Sequence, residues 1–151
     1  MRAALLIVLF VPTALLSGAL VGQHVFGLPP CEMCMWQRWP HVAALVLASL
    51  ALLIEGARRP LVVVAALAIA VSGAIGAFHA GVEYGWWEGV TPCATTSIAT
   101  GGDFLAEIAA QPLVRCDVAP WSLFGISLAG YNALISILAS GAALWLTLRT
   151  K

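Results

Sequence analysis

Four long apolar stretches, separated by shorter polar segments, dominate the pattern of the chain. A helix needs about 20 residues to cross about 30 Å of hydrocarbon. The pattern therefore predicts membrane spans at about 3–22, 33–54, 61–79 and 122–148. The second span has a short apolar run and must include the polar residues before it. We predict an all-α fold, a polytopic membrane four-helix bundle that makes 1–151 a single integral membrane domain.

The predicted connection at about 80–120 is longer than a usual helix connection, and loops of this length commonly carry function. Within it, 103–111 has apolar residues at helical spacing. This spacing predicts a short amphipathic helix on the membrane surface, which would hold the loop near the bilayer.

Composition supports a membrane protein. Hydrophobic residues make up 62% of the 151 residues and charged residues only 9%, outside the range of soluble globular proteins. Seven basic residues balanced by seven acidic ones leave no cationic surface for nucleic acid. The first stretch could also be a cleaved signal peptide, but its length and the aromatic residues Trp36 and Trp39 beyond it favour a span.

The basic residues predict the orientation, because cytoplasmic connections are enriched in Lys and Arg. One side of the predicted bundle carries Arg2, Arg58, Arg59, Arg149 and Lys151. The other side carries only Arg38 and Arg115, together with all four cysteines. We therefore predict cytoplasmic N and C termini and cysteines on the outer, oxidising side.

A Cys-x-x-Cys motif follows a Pro-Pro bend, where the second helix should begin. A helix N-terminus and a nearby guanidinium both favour a thiolate, so the motif indicates redox chemistry, with a structural disulfide as the alternative. Pro40 should kink or restart this helix. Helical spacing places four residues on one face of this second helix, namely Cys31, Cys34, Arg38 and His41.

Cys93 and Cys116 lie in the long loop. A structural bridge would be the simplest interpretation of such a pair, but the nearby Cys-x-x-Cys favours an exchanging pair. Four cysteines allow three connectivities, and a metal site made of all four thiols is a further alternative.

Three polar residues stand at membrane depth and need an explanation. Arg38 is either a functional cation near the cysteines or an arginine that reaches back to the interface. His79, at the outer end of the third span, is either catalytic or a structural polar residue. Asn132 in the fourth span should bond between helices.

Four motifs occur in order along the chain: Gln23-His24-Val25, Pro30-Cys31-x-x-Cys34-x-x-Gln37-Arg38, His79-x-Gly81-x-Glu83 and Cys116-Asp117-x-x-Pro120-Trp121-x-x-x-Gly125-x-Ser127. With them the chain resembles the DsbB family of disulfide bond formation proteins. The resemblance covers nearly the whole chain.

The resemblance implies a membrane thiol:quinone oxidoreductase of the bacterial inner membrane, with periplasmic redox cysteines and with ubiquinone or menaquinone as its cofactor. Cys93 would be attacked by a periplasmic thioredoxin-like partner, a DsbA-type oxidase. Cys116 would then exchange with Cys31. Cys34 would face the quinone and pass two electrons to the membrane quinone pool.

The resemblance also implies the residues of the quinone site. Arg38 would stabilise negative charge on the Cys34 thiolate or on the reduced quinone, and His79 resembles the second quinone-site residue of the family. Gln37 belongs to the same site but stands where some members carry an acidic residue, so the charge around the quinone would differ.

Two other functions are weighed against this one. A vitamin-K-epoxide-reductase-like protein is also a helical bundle with a Cys-x-x-Cys and a loop pair, but it places the motif late in the bundle, whereas here the motif follows the first span. A non-enzymatic membrane scaffold with two structural disulfides would show no redox turnover.

Overall fold

The computed structural model describes residues 1–90 and 114–149. Its described parts contain four long helices, α1 (Arg2–His24), α2 (Glu32–Leu53), α3 (Arg58–Glu83) and α4 (Leu128–Arg149). A 3₁₀ turn at Glu55–Ala57 joins α2 to α3, and the short strands β1 (Ser122–Leu123) and β2 (Ile126–Ser127) form an antiparallel hairpin before α4. The mostly helical fold confirms the predicted class. The amphipathic helix predicted at 103–111 lies outside the described residues.

Within the part of the chain that the structure describes, three stretches are long and apolar enough to cross a membrane, namely Arg2–His24, Glu55–Glu83 and Leu128–Arg149. Large apolar side chains on these helices point outward, as Phe10 and Leu138 do. Extended apolar surface of this kind is unfavourable in water and is matched by lipid. The chain is therefore a membrane protein.

Helix α2 begins one residue after Cys31, as the Pro-Pro bend predicts, and continues through Pro40 as one helix. Proline lacks the N–H that would bond to the preceding turn. A hydroxyl group from α3 reaches this region, where Ser72 Oγ donates to the carbonyl group of Gln37 at 2.8 Å. Because its first half is polar, α2 is not among the helices that are apolar enough to be recognised as membrane spans. That α2 crosses the membrane therefore stays a prediction.

Helix α3 lies at the centre of the bundle and packs most extensively against α4 and α2. Small side chains permit this close packing, since Ala65 and Ala66 of α3 and Ala44 of α2 are fully buried. Next to α4, a Cβ atom added to Gly76 would lie 2.9 Å from Asn132 Nδ2. Small residues at such interfaces let helix backbones approach within the membrane.

The C-terminal end of α3 extends beyond the predicted end of the third span and reaches Glu83. The Trp86 N–H closes the helix by donating to the Gly81 carbonyl group at 2.8 Å. Gly85, with φ of 70°, occupies the left-handed position that this type of helix end requires. The additional turn keeps His79 and Glu83 on one helical face.

The fourth helix begins at Leu128, later than the start near 122 that the apolar pattern predicts. The hairpin turn before it has positive φ at Phe124 (52°) and Gly125 (77°). This backbone conformation suits a two-residue hairpin and cannot continue a helix. The Tyr84 hydroxyl donates to the Gly125 carbonyl group at 3.2 Å and accepts from a β2 backbone N–H at 3.1 Å. These bonds attach the hairpin to the end of α3.

Candidate active site

Two cysteines lie side by side at the start of α2. Cys31 is the N-cap residue, and its sulfur accepts a hydrogen bond from the Cys34 N–H at 3.2 Å. The two Sγ atoms are 2.9 Å apart, so a small side-chain rotation brings them to bonding distance. Cys31 is buried and Cys34 is half-buried. The pair is therefore placed to switch between a dithiol and a disulfide.

His79 reaches the cysteine pair from α3. Its Nε2 atom lies 3.6 Å from Cys31 Sγ and 3.8 Å from Glu83 Oε1. The side chains of His79 and Glu83 are each only 2% exposed. A buried imidazole N–H beside a sulfur can supply a proton to the thiolate without bulk water. Sequence reasoning assigned no role to Glu83, although its spacing of four residues from His79 places both on one helical face.

Gln37 joins the cysteine site to the interior of the bundle. Its amide Nε2 donates to His79 Nδ1 at 2.8 Å and to the Met33 carbonyl group at 3.2 Å. Because Nδ1 accepts, the neutral imidazole carries its proton on Nε2, the ring nitrogen that faces Cys31. Asn132 of α4 donates to Gln37 Oε1 at 2.8 Å. Gln37 therefore sets the orientation of His79.

Asn132 is the branch point of a polar cluster between α2, α3 and α4. Its Nδ2 lies 3.2 Å from both the carbonyl oxygen and the hydroxyl oxygen of Ser72. Its Oδ1 lies 2.9 Å from His41 Nε2 and accepts from Ser136 Oγ at 3.1 Å. The prediction that Asn132 bonds between helices is confirmed, and its four partners make it a structural centre rather than a simple link.

Arg38 points away from this cluster and toward α1. Its Nη1 donates to Gln23 Oε1 at 2.6 Å, and its Nη2 lies 3.5 Å from the Ala19 carbonyl oxygen. The residues that helical spacing placed on one face of α2 therefore point toward different helices. The cysteines face α3, Arg38 faces α1 and His41 faces α4. The physical reason is that α2 packs between α3 and α1, while His41 reaches Asn132 of α4 across the interior of the bundle by a side-chain hydrogen bond.

Cys116 lies just before the hairpin and packs in one buried cluster with Cys31, Met33 and Val82. The structure thus brings three of the four cysteines to the same place. Cys93 lies outside the described residues, so its pairing with Cys116 stays a prediction.

An ion pair flanks Cys116 on the exposed side of its segment. Arg115 Nε donates to Asp117 Oδ1 at 2.9 Å, and a second guanidinium N–H bonds to the other carboxylate oxygen. These hydrogen bonds from Arg115 hold the pKa of Asp117 below its usual value. The ion pair spans Cys116, because its partners are the residues on either side of this cysteine.

A cavity of about 230 Å³ lies beside the sulfur atoms. Its lining includes Cys31, Cys34 and His79, together with Val114, Arg115 and Val118. The cavity is largely apolar, with sulfur and imidazole groups at one wall.

Comparison with known proteins gives a consistent result. The family described as "Disulfide bond formation protein DsbB" matches residues 1–146. The chain is 32% identical over 144 residues to "Disulfide bond formation protein B" of Verminephrobacter eiseniae, covering 88% of this chain and 78% of that protein. It is 31% identical over 147 residues to the protein of the same name in Polaromonas sp., covering 88% and 82%.

An uncharacterized protein of Rickettsia prowazekii is 24% identical over 136 residues, covering 87% of this chain and 79% of that protein. No solved structure matches the chain. The family match extends over nearly all of the sequence and contains every motif on which the resemblance was based. The chain therefore belongs to the DsbB family of disulfide bond formation proteins.

Proposed function

We propose that the protein is a membrane thiol:quinone oxidoreductase that re-oxidises a periplasmic DsbA-type dithiol oxidase. One observation carries this proposal. The Sγ atoms of Cys31 and Cys34 are 2.9 Å apart, and Cys31 shares a buried cluster with Cys116. A sulfur with a neighbour on either side can exchange with both, which is what a relay of disulfides requires.

The relay begins at the loop pair. The thiolate of the reduced partner attacks Cys93 and breaks the Cys93–Cys116 disulfide, and the second partner thiol then displaces Cys93, so the partner leaves as a disulfide. The Cys116 thiolate next attacks Cys31 and breaks the Cys31–Cys34 disulfide. Cys93 displaces Cys31 and closes the loop pair again. Two electrons and two protons now reside on the dithiol of Cys31 and Cys34.

Re-oxidation of this dithiol needs an acceptor, and a membrane quinone fits the surroundings. A quinone, ubiquinone or menaquinone, supplies when bound an acceptor for two electrons and two protons. Cys34 is half-buried, and Trp36 beside it is exposed on the outer surface of the bundle. Arg38 follows one turn later and has five N–H groups, more than its contacts on α1 use. Hydrogen-bond donors beside apolar surface suit a ligand with carbonyl oxygens on an apolar ring.

Arg38, His79 and Gln37 each have a different role in the site. Arg38 stabilises negative charge on the Cys34 thiolate or on the reduced acceptor. His79 donates the proton on its Nε2 atom to the Cys31 thiolate, the sulfur that this atom approaches to 3.6 Å. Gln37 is 7% exposed and engages both ends of its amide in hydrogen bonds, so it acts on the site by orienting His79.

The proposed location is the bacterial inner membrane, with the cysteines on the periplasmic side. Helix α3 begins with Arg58 and Arg59, α1 begins with Arg2, and α4 ends with Arg149. These basic residues lie at the opposite end of the helices from Cys31 and favour a cytoplasmic position for that end. The periplasm is also the compartment in which disulfides persist.

Turnover of the purified full-length protein tests the proposal. With ubiquinone-1 as the electron acceptor, one equivalent of the protein should oxidise many equivalents of reduced DsbA-type protein to the disulfide. Cys34→Ser should abolish this turnover, and Ser140→Ala should retain it. Arg38→Met should slow quinone reduction while single-turnover exchange between partner and loop continues. Failure with several DsbA-type partners and with both quinone classes would refute the proposal and favour a scaffold with two structural disulfides.

A further inference from the structure

Three atoms of the kind that ligate zinc converge at the start of α2. The sulfurs of Cys31 and Cys34 and a ring nitrogen of His79 all lie within 4.8 Å of one another. Thiolate sulfur and imidazole nitrogen are preferred donors for Zn²⁺, and two cysteines with one histidine are an established zinc ligand set. We propose that the reduced cysteine pair and His79 form a Zn²⁺-binding site. This proposal rests on the geometry and does not depend on the quinone or partner proposed above.

The spacing of the ligating atoms suits a tetrahedral ion. Zn–S bonds of about 2.3 Å and Zn–N bonds of about 2.0 Å place neighbouring ligand atoms roughly 3.5–3.8 Å apart. Cys31 Sγ and His79 Nε2 are already 3.6 Å apart. The two sulfurs, 2.9 Å apart, must separate by about 0.8 Å to meet this geometry. The cavity beside Cys34 provides space for that rotation.

Glu83 borders the three ligating atoms without belonging to the group that they form. Its Oε1 lies 3.8 Å from His79 Nε2, and its side chain is 2% exposed. Its Oε2 is buried and accepts no hydrogen bond from the residues that the structure describes. A buried carboxylate oxygen without a partner is unfavourable, and a cation bound among these side chains removes that disadvantage.

Gln37 supports the site from the far side of His79. A metal on Nε2 requires the ring proton on Nδ1, and a zinc-bound histidine usually donates that proton to a carbonyl or carboxylate oxygen. Gln37 Nε2 lies 2.8 Å from Nδ1, so a half-turn of the amide presents Oε1 to this proton and gives up the Nε2 bond to the Met33 carbonyl group. The amide NH₂ then faces Asn132, whose own amide turns in the same sense.

Binding is coupled to the redox state of the cysteines. The dithiol releases two protons when both sulfurs bind as thiolates, and no electron moves because Zn²⁺ is redox-inactive. The Cys31–Cys34 disulfide has no thiolate to offer. Zn²⁺ therefore binds the reduced protein alone and holds the pair reduced, which inhibits re-oxidation.

Titration of the full-length protein in detergent with Co²⁺, a spectroscopic substitute for Zn²⁺, tests the site. Cys93→Ser and Cys116→Ser together leave only the α2 pair as thiols. After anaerobic reduction, one equivalent of Co²⁺ should give thiolate-to-cobalt charge-transfer bands and tetrahedral d–d bands, and Zn²⁺ should displace it. The oxidised protein should give neither set of bands. Reduced protein without these bands, or equal bands in the oxidised protein, would overturn the proposal.

Single substitutions in the same background identify the ligands. Cys34→Ser should remove the charge-transfer bands, and His79→Ala should weaken Co²⁺ binding by more than about 10-fold. His24→Ala, at an exposed position on α1, should leave the affinity unchanged. Circular dichroism establishes that each variant keeps its helices. Equal affinities of the His79→Ala and His24→Ala variants would show that the thiols bind alone and would refute the site. The spectroscopic result stands whether or not the protein turns over with quinone.

Discussion

His79 Nε2 lies 3.6 Å from Cys31 Sγ, although the two residues are 48 positions apart in the chain. The contact exists because α3 continues as a regular helix to Glu83 and packs against the beginning of α2. It places a buried imidazole beside Cys31, the sulfur that we propose exchanges with both Cys34 and Cys116. The chemistry of the cysteine pair is therefore coupled to the packing of α3 and α2.

Replacing His79 by Ala removes the imidazole proton donor beside Cys31. The Cys31 thiol then has to exchange its proton without the imidazole, and general acid–base contributions of this kind are worth about 10²-fold or more. We expect the rate of re-oxidation of the Cys31–Cys34 dithiol by quinone to fall by about 10²-fold in stopped-flow measurements. His24→Ala is the control and should keep the wild-type rate. A His79→Ala protein with an unchanged rate would contradict the assigned proton transfer.

Gln23 is a positioning residue for Arg38. Its Oε1 accepts from Arg38 Nη1 at 2.6 Å, and Gln23→Leu frees the guanidinium to sample other rotamers. Ordering a long side chain on binding costs about 0.5–1.5 kcal/mol, so the KM for ubiquinone-1 should rise by up to about 10-fold with a smaller change in kcat. Partner-to-loop exchange should stay constant, and a parallel loss of both half-reactions would show general damage instead.

The beginning of the site could be predicted from local sequence, because its causes are local. The Pro-Pro bend stops one segment, and the Cys-x-x-Cys spacing then places Cys31 at the N-cap and Cys34 one turn later. The apolar stretches likewise predicted the mostly helical fold. Each of these features depends on residues close together in the chain.

The remaining contacts depend on how the helices pack, which periodicity does not specify. Helical spacing put Arg38 and His41 on one face, but it could not tell that these side chains would meet different helices. The contact between Gln37 and His79 needs the relative positions of α2 and α3. The hairpin before α4 was predicted as helix because its apolar residues continue into the span, while Gly125 was the signal for a turn.

The Arg115–Asp117 pair predicts a measurable pH effect. Arg115 favours the charged carboxylate and so lowers the pKa of Asp117. This stabilisation is present above the usual pKa of the carboxyl group and is lost as the pH falls through the lowered value. Arg115→Gln should therefore move the titration of Asp117 upward, toward its usual range, in carbonyl ¹³C spectra. Arg149→Gln, which removes a cation stacked on Trp145, should leave the Asp117 titration unchanged; identical curves for both variants would disprove the pairing.

Asn132→Ala should destabilise the bundle because one side chain serves three helices. Interhelical hydrogen bonds in membranes average about 0.6 kcal/mol each, so loss of the bonds to Gln37, Ser72 and His41 should cost about 2 kcal/mol. Thermal unfolding in detergent measures this as a lower Tm. Ser140→Ala removes a hydroxyl that bonds only within α4, to the Ile137 carbonyl group, and should lower the Tm less. Equal effects of the two substitutions would show that the polar cluster does not hold the helices together.

Gly76 tests the close approach of α3 and α4. A Cβ atom there would lie 2.9 Å from Asn132 Nδ2 and 3.0 Å from the Ala129 carbonyl oxygen, and the backbone oxygen cannot move without separating the helices. Overpacking of this kind costs about 1–3 kcal/mol, so Gly76→Ala should lower the Tm in detergent. At Gly141 an added Cβ meets no described atom within 4 Å, and Gly141→Ala should raise the helix stability by about 0.5–1 kcal/mol. The two alanine substitutions are chemically identical and differ only in their surroundings. Changes in Tm of opposite sign would therefore locate the close contact between α3 and α4 at Gly76. A Gly76→Ala protein with an undiminished Tm would show that the two helices are further apart.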